Sequence, residues 1–335
     1  MSDPLRTGIV GTGGWGTHIA TQFHENPDTA VVAITDISDA NRAEAGETLE
    51  VAPDHQYEEY DAMLAEEELD AVQISSPHAL HHDHILAALE ADLHVFCEKP
   101  LTIGVGQAAE LVRESDASDR VLMVGYQRHV HPAYAAVRDA VVGGELEPKL
   151  VTAELTQNWL ENVEGTWRVD PALSGGGQLY DSGSHLLDAI VWMVDEEPTH
   201  VTAEMVFADD AERIDVQAAL TVRFDGGVVA SITVSGDAPD VTERIAVRGD
   251  EGRHVISGEG WDHREVTVTD ADGTEHDPIA DDLSSYEKVD AFVQAVRNGE
   301  EPPATARNAF YATALTEAAY EAARTGERVD VDTTL

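Results

Sequence analysis

The chain of 335 residues carries 20 basic against 65 acidic side chains, a formal net charge of -45, and is 42% hydrophobic. That charge repels phosphate backbones and anionic bilayers, so it excludes nucleic acid and membrane surfaces as partners. The hydrophobic fraction excludes a disordered chain, and the length suits two domains.

The acids are dispersed, as in "HENPD", "LAEEELD" and "ADDAERID". Dispersal predicts a surface adapted to molar salt, where screening removes self-repulsion, rather than a patch for a basic partner. Cys97 is the only cysteine, so no intrachain disulfide can form and a reducing compartment is expected. The start, "MSDPLRTGIVGTGG", runs into a strand with no room for a signal peptide, and no apolar run approaches a membrane span. A cytoplasmic location is the expectation.

In chain order, "TGIVG" reads as a strand, "WGTHIATQFHEN" as a helix, "AVVAITD" as a strand and "ANRAEAGETLE" as a helix. "DAVQISSP", "ALHHDHILAALEA", "HVFCEKP" and "VLMVGYQ" continue the beat. Buried strands alternating with helices predict crossover units in a parallel, doubly wound α/β sheet. From about residue 150 alternating strands dominate: "KLVTAELTQNW", "HVTAEMVFA", "VQAALTVRF", "VVASITVSG" and "RIAVRG", with turns at "FDGG" and "VRGDEGR". They predict a mostly antiparallel open sheet with one face packed and one available to a partner subunit. "YEKVDAFVQAVRNG" and "ARNAFYATALTEAAYEAARTG" read as helices closed by glycine. The expected division is a dinucleotide-binding domain over residues 1–125 and an α+β substrate and oligomerisation domain over 126–335. The helix near 305–325 is expected to pack back on the first domain.

"GTGGWG" places Gly11, Gly13 and Gly16 in the G-x-G-x-x-G spacing, after a strand and before a helix. The first permits a tight turn, the second admits a pyrophosphate, and the third allows close helix–strand packing. Asp36 ends the next strand, where an acid binds the ribose 2′-hydroxyl. An acid there, with no arginine before Arg42, favours NAD over NADP. Thr12, Gly14 and Trp15 share that turn. Ser75, Ser76 and Pro77 follow the fourth strand and border the same crevice.

"HVFCEKPLT" draws attention because the chain has only three lysines against seventeen arginines. Lys99 ends the fifth strand at the crevice, where an ammonium tunable by its surroundings can serve a reacting oxygen and a guanidinium cannot. Its neighbour Glu98 points to the opposite face, which argues against a simple pair between them.

"SGGGQLYDSGSHLLDAIVWMV" spans residues 174–194. Asp181, His185 and Asp188 fall at i, i+4 and i+7 and so along one face of a helix. An Asp that holds and polarises a His is equipment for moving a proton. The same three groups could bind a metal ion, though no further donor is identifiable, or could be satisfied polar groups of a buried helix. In "SSPHALHHDH" only His78 and His82 stand at i, i+4, and a role beside the cofactor suits that stretch better than zinc.

Together these motifs, with "GYQRHVHPAY", resemble the glucose–fructose oxidoreductase and inositol dehydrogenase (Gfo/Idh/MocA) family, as a salt-adapted member. The resemblance covers nearly the whole chain. It implies a Rossmann domain, a C-terminal sheet that builds homodimers or homotetramers, and hydride transfer between nicotinamide and a sugar or polyol carbon. By that resemblance Lys99 matches the catalytic lysine, and Asp181 and His185 match the Asp and His of the family element, His185 accepting the proton. His81 falls on the histidine of a P-x-x-x-H turn. Gln127 borders nicotinamide and Arg128 the substrate, while Asn158, Trp167 and Arg168 are candidates to shape the sugar pocket. The expected activity is NAD-dependent oxidation of a secondary hydroxyl. Alternatives are an NADPH-dependent keto-sugar reductase and a non-catalytic dinucleotide sensor.

Overall fold

The computed structural model describes residues 3–261, 263–278 and 288–335. Its first half alternates strands and helices: β1 (Leu5–Val10), α1 (Gly14–Glu25), β2 (Thr29–Thr35), α2 (Asp39–Thr48), β3 (Gln56–Tyr57), α3 (Tyr60–Glu66) and β4 (Ala71–Ile74). α4 (His81–Glu90), β5 (His94–Cys97), α5 (Val105–Ala117) and β6 (Leu122–Val124) complete it. Every pairing is parallel, in the order 3-2-1-4-5-6. β4 and β5 are buried along their apolar lengths because helices cover both faces. The order switches direction beside β1, so the carboxyl ends of β1, β4 and β5 share one crevice.

The second half holds α6 (Pro132–Val142), β7 (Leu150–Thr156), α7 (Trp159–Val163), α8 (Pro171–Ser174) and α9 (Ser184–Val194). Then come β8 (Pro198–Phe207), β9 (Asp215–Phe224), β10 (Val229–Ser235), β11 (Thr242–Arg248), β12 (Gly252–Glu259), β13 (Glu265–Asp270) and β14 (Glu275–His276). α10 (Lys288–Asn298), α11 (Ala306–Thr325) and β15 (Val329–Asp330) close the chain. The sheet runs 14-13-12-11-7-10-9-8-15 and is antiparallel except where β7 and β10 pair in parallel. Alternation on β9 sends Ala218, Leu220, Val222 and Phe224 into a core with Leu186, Ile190 and Leu315, and leaves Gln217, Ala219, Thr221 and Arg223 outside. The expected helix over "YEKVDAFVQAVRNG" is present from Lys288. Its first two letters lie outside the described residues.

One helix serves both cores. Ala309, Phe310 and Ala312 of α11 pack under the first sheet, and Leu315, Ala318 and Ala319 under the second. Thr305 and Asn308 form a reciprocal capping box at its start, worth about 1 kcal/mol. Truncating the fully buried Phe310 to Ala would cost about 3–5 kcal/mol. No described helix is long and apolar enough to cross a membrane.

Candidate active site

The glycine turn divides its labour as its spacing predicts. Gly11 has φ +86°, and a Cβ there would lie 2.8 Å from the Ser75 backbone. A Cβ on Gly16 would lie 2.0 Å from the Gly11 carbonyl oxygen, so α1 packs directly on the turn. Gly13 and Gly14 meet nothing within 4 Å and face a cavity of about 570 Å³. Gly13 is the N-cap of α1 and no side chain caps the helix, which leaves its first N–H groups free for an anion. Gln127 also lines the cavity, and its buried Oε1 has no partner among the described residues. An open cradle, a bare helix N-terminus and an orphan acceptor fit a dinucleotide.

Asp36 sits at the end of β2, and its carboxylate ties its own loop to the glycine turn. Oδ2 accepts from the Thr12 N–H at 2.8 Å and Oδ1 from the Ser38 N–H at 2.9 Å, and Asn41 Nδ2 lies 3.3 Å from both. Arg42 folds over the same corner, donating to the Asp36 carbonyl and to Asp39.

Lys99 leaves β5 into the cavity. Its Nζ donates to the Asp181 carbonyl at 2.8 Å and to Asp181 Oδ1 at 2.7 Å. Asp181 Oδ2 accepts from Trp159 Nε1 at 2.8 Å and lies 3.2 Å from Arg168 Nε. Burial alone would raise the Asp181 carboxyl. The Lys99 and Arg168 cations and nearby His78 overcome that and hold it far below the usual carboxylate range.

His185 lines the same cavity. Burial pushes its pKa well below the ordinary imidazole value, and the charges of Arg128, Lys99 and Lys288 push further against a weaker pull from Asp181. It is a neutral imidazole at neutral pH. Its Nδ1 is buried with no partner among the described residues.

The expectation that Asp181 holds His185 is corrected by the contacts of its carboxylate. Leu179–Gly183 form a π-helical turn ahead of α9, and within it the Asp181 carboxylate is taken by Lys99, Trp159 and Arg168. Asp181 therefore steadies Lys99, and no hydrogen bond joins it to His185. Asp188 is fully buried with His129, whose Nε2 lies 2.7 Å from Asp188 Oδ2.

Two expected substrate residues are corrected as well. Arg128 is buried beneath the cavity in an ion pair with Glu243, which also takes the Tyr134 hydroxyl and Arg264. It reaches His185 only through its charge. Asn158 turns to Glu161 and does not line the cavity. Trp167 and Arg168 do line it, with the Arg168 guanidinium 4.6 Å from the Trp167 ring centre. Of the expected cofactor residues, Gly13, Gly14, Trp15, Gly16, Ser75, Ser76, His81, Glu98, Lys99 and Gln127 form the wall. Gly11, Thr12, Asp36 and Pro77 support it from outside. Both ring nitrogens of His81 face carbonyls, Pro100 at 2.8 Å and Ser76 at 2.9 Å, so it braces the lysine loop against the serine turn.

Sequence reasoning missed Trp159, Ser182, Trp261 and Lys288. The first two are placed by the π turn and by contacts distant in sequence, for which no local signal exists. Lys288 carried the same signal as Lys99, since it is one of three lysines. It pairs with Glu98.

Residues 5–126 match the family model described as the GFO_IDH_MocA oxidoreductase family with an NAD-binding Rossmann fold, and residues 134–255 match the GFO/IDH/MocA C-terminal domain. The chain belongs to the GFO/IDH/MocA oxidoreductases. One relative is a D-xylose 1-dehydrogenase [NADP(+)] from Haloarcula marismortui, 29% identical over 98% of this chain and 94% of the relative. A myo-inositol 2-dehydrogenase from Thermotoga maritima is 26% identical over 94% of this chain and 95% of its own. Aldose-aldose oxidoreductase from Caulobacter crescentus shares the fold with a TM-score of 0.82 at 23% identity, covering 98% of this chain and 99% of that one. As a GFO/IDH/MocA member the protein is an oxidoreductase that uses a nicotinamide dinucleotide. The glycine turn, Lys99 and His185 line one cavity of this oxidoreductase.

Proposed function

We propose that the protein oxidises a ring CH–OH of a sugar, with an aldose such as D-xylose first among substrates and NADP as the acceptor. The observation that carries this reading is the juxtaposition, in one cavity, of an ammonium pinned by Asp181 and a buried neutral imidazole. Lys99 donates a hydrogen bond to the reacting oxygen and His185 takes the hydroxyl proton. The C–H and O–H bonds break, a C=O bond forms, and the proton stays on His185. The bound nicotinamide supplies the hydride acceptor. Asp181 keeps Lys99 aimed, while Trp167, Arg168 and Trp261 shape the sugar end of the cavity.

The choice of NADP departs from the NAD that Asp36 suggested. Thr12 of the glycine turn and Ser38 and Asn41 of its own loop already occupy that carboxylate. Ser38, Asn41 and Arg42 supply polar and cationic groups around it for a 2′-phosphate. The name of the Haloarcula marismortui relative points the same way. Absorbance of reduced nicotinamide, followed in molar KCl with pentoses, hexoses, inositols and sugar acids and with either cofactor, tests both parts. Reduction of NADP with an aldose, lost in Lys99→Ala, is the expected result. Arg42→Ala should move preference toward NAD. Use of NAD alone by the unaltered protein would overturn the cofactor assignment, and turnover of inositols alone the substrate class.

A homo-oligomer formed through the outer face of the second sheet is part of the same proposal. In a chain with 65 acids, Ala219, Thr221, Ser231 and Thr233 make the part of that face on β9 and β10 small and uncharged. Light scattering in molar KCl should give a dimer or tetramer, reduced to monomer by Thr221→Arg with Thr233→Glu.

A further inference from the structure

The scarcity of lysine singles out a second residue. Lys149 is half-exposed and pairs with Asp250, whereas Lys288 is 6% exposed and sits behind the candidate active site. It begins α10, far along the chain, and reaches across to the first sheet. Its Nζ donates to Glu98 Oε1 and lies 3.4 Å from the Gly125 carbonyl oxygen. The same ammonium lies 5.3 Å from the centre of the Trp15 ring and 5.6 Å from that of Phe96.

Glu98 and Trp15 both face the cavity. Trp15 stands in the first turn of α1, beside the N–H groups offered to the pyrophosphate. Glu98 precedes Lys99, at the nicotinamide end. Lys288 thus touches, from the rear, two walls between which a dinucleotide must run. The Glu98 carboxyl packs directly against the Gly125 backbone, where a Cβ would lie 2.9 Å from it.

We propose that Lys288 is a positioning residue for the dinucleotide, which neutralises Glu98 and seats Trp15 so that an anionic cofactor can enter a crevice of a strongly acidic protein. The proposal rests on the nicotinamide-dinucleotide assignment of the crevice. Unpaired, the Glu98 carboxylate would stand in the cavity wall and repel the pyrophosphate across a region that salt screens poorly. A compact ammonium can meet a carboxylate, a carbonyl and an aromatic face at once, which explains lysine here in a chain that otherwise uses arginine.

The test is binding, read without any sugar. NADPH is titrated into the unaltered protein, Lys288→Met, Glu98→Gln and the double variant, in molar KCl, following energy transfer from tryptophan to the reduced nicotinamide. Lys288→Met should raise the Kd for NADPH by about tenfold or more, since it leaves a buried carboxylate unpaired. In the double variant, which removes both charges, much of that loss should return. A lysine that only held the fold would lower the thermal midpoint and leave the Kd of the folded protein unchanged. Unchanged Kd in Lys288→Met, or a double variant as weak as the single one, would overturn the proposal. Should Lys288→Met not fold, Lys288→Gln carries the same comparison, because it keeps a donor for Glu98 and loses the charge. Normal NADPH binding with no sugar oxidised would sink the substrate reading alone.

Discussion

Lys99 is joined to Asp181 twice, through the backbone carbonyl at 2.8 Å and the carboxylate at 2.7 Å. The double contact ties the end of β5 to the π turn ahead of α9, so the two halves of the molecule meet at Lys99. Lys99→Met should lower kcat by about 10²–10⁴-fold, the range for a positioned proton-handling group, with little change in cofactor Kd. Asp181→Asn keeps the shape and frees the ammonium, so it should lower kcat with a smaller effect. Steady-state kinetics beside NADPH titration separates these outcomes. A cofactor Kd that rises in step with the loss of kcat would show that Lys99 holds the dinucleotide and not the substrate.

The pH behaviour follows from burial. His185 must be neutral to accept a proton, and its pKa is depressed, so kcat should hold as pH falls past the ordinary imidazole value of about 6.5. Stability has a related sign. His78, His81 and His185 are depressed by burial, and His84 is lowered to about 4. Below about pH 6.5 the unfolded chain therefore binds more protons than the native one, and stability falls as pH falls. Asp215 acts in the opposite sense, because burial pushes it up to about 6 and the native state holds its proton first. Four imidazoles outweigh one carboxyl. Thermal midpoints at fixed KCl should be level from pH 8 to 7 and drop toward pH 5, while a midpoint that rises toward pH 5 would contradict the sign.

How much of this was legible depends on whether the signal is local. The strand–helix beat, the three glycine roles and the period-two strands are local, and each appears in the structure. Lys99 was conspicuous because lysine is rare, and the same argument, followed to residue 288, would have found Lys288. The i, i+4 spacing offered His185 as the partner of Asp181, whereas its carboxylate bonds Lys99 and Trp159, which lie 82 and 22 residues away. Arg128 was expected at the substrate by the family resemblance, and its ion pair with Glu243, 115 residues away, leaves no local mark in the sequence. The parallel pairing of β7 with β10 is likewise a matter of topology and invisible in either strand.

Gly177 supplies a test of how the turn that carries Asp181 is held. A Cβ there would lie 2.2 Å from the Asp215 carbonyl oxygen, and the Asp215 carboxylate itself accepts the Leu179 N–H at 2.9 Å. Backbone cannot yield as a flexible side chain does, so Gly177→Ala must shift the loop that leads into Asp181. It should cost about 1–3 kcal/mol of stability and lower kcat, while leaving NADPH affinity unchanged because the glycine cradle belongs to the other half. Full activity in a folded Gly177→Ala protein would show that the close approach to Asp215 does not position Asp181.

Salt should act on the surface and spare the site. At a net charge of -45, exposed acids repel one another across the whole molecule, and that repulsion is screened once the Debye length falls to a few ångströms near 1 M. The pairs Lys99–Asp181, Arg128–Glu243 and Lys288–Glu98 have little exposure and are screened far less. Raising KCl from tens of millimolar to molar should therefore lift the thermal midpoint by on the order of 10 °C without weakening NADPH binding. An exposed pair such as Lys149–Asp250 should contribute little at either end, so Lys149→Ala should leave the midpoint nearly unmoved. A midpoint indifferent to KCl would mean that the acids are already compensated at low salt. The dispersed charge would then have to be explained by a basic macromolecular partner, and a screen for binding to cationic protein surfaces at low ionic strength would become the next experiment.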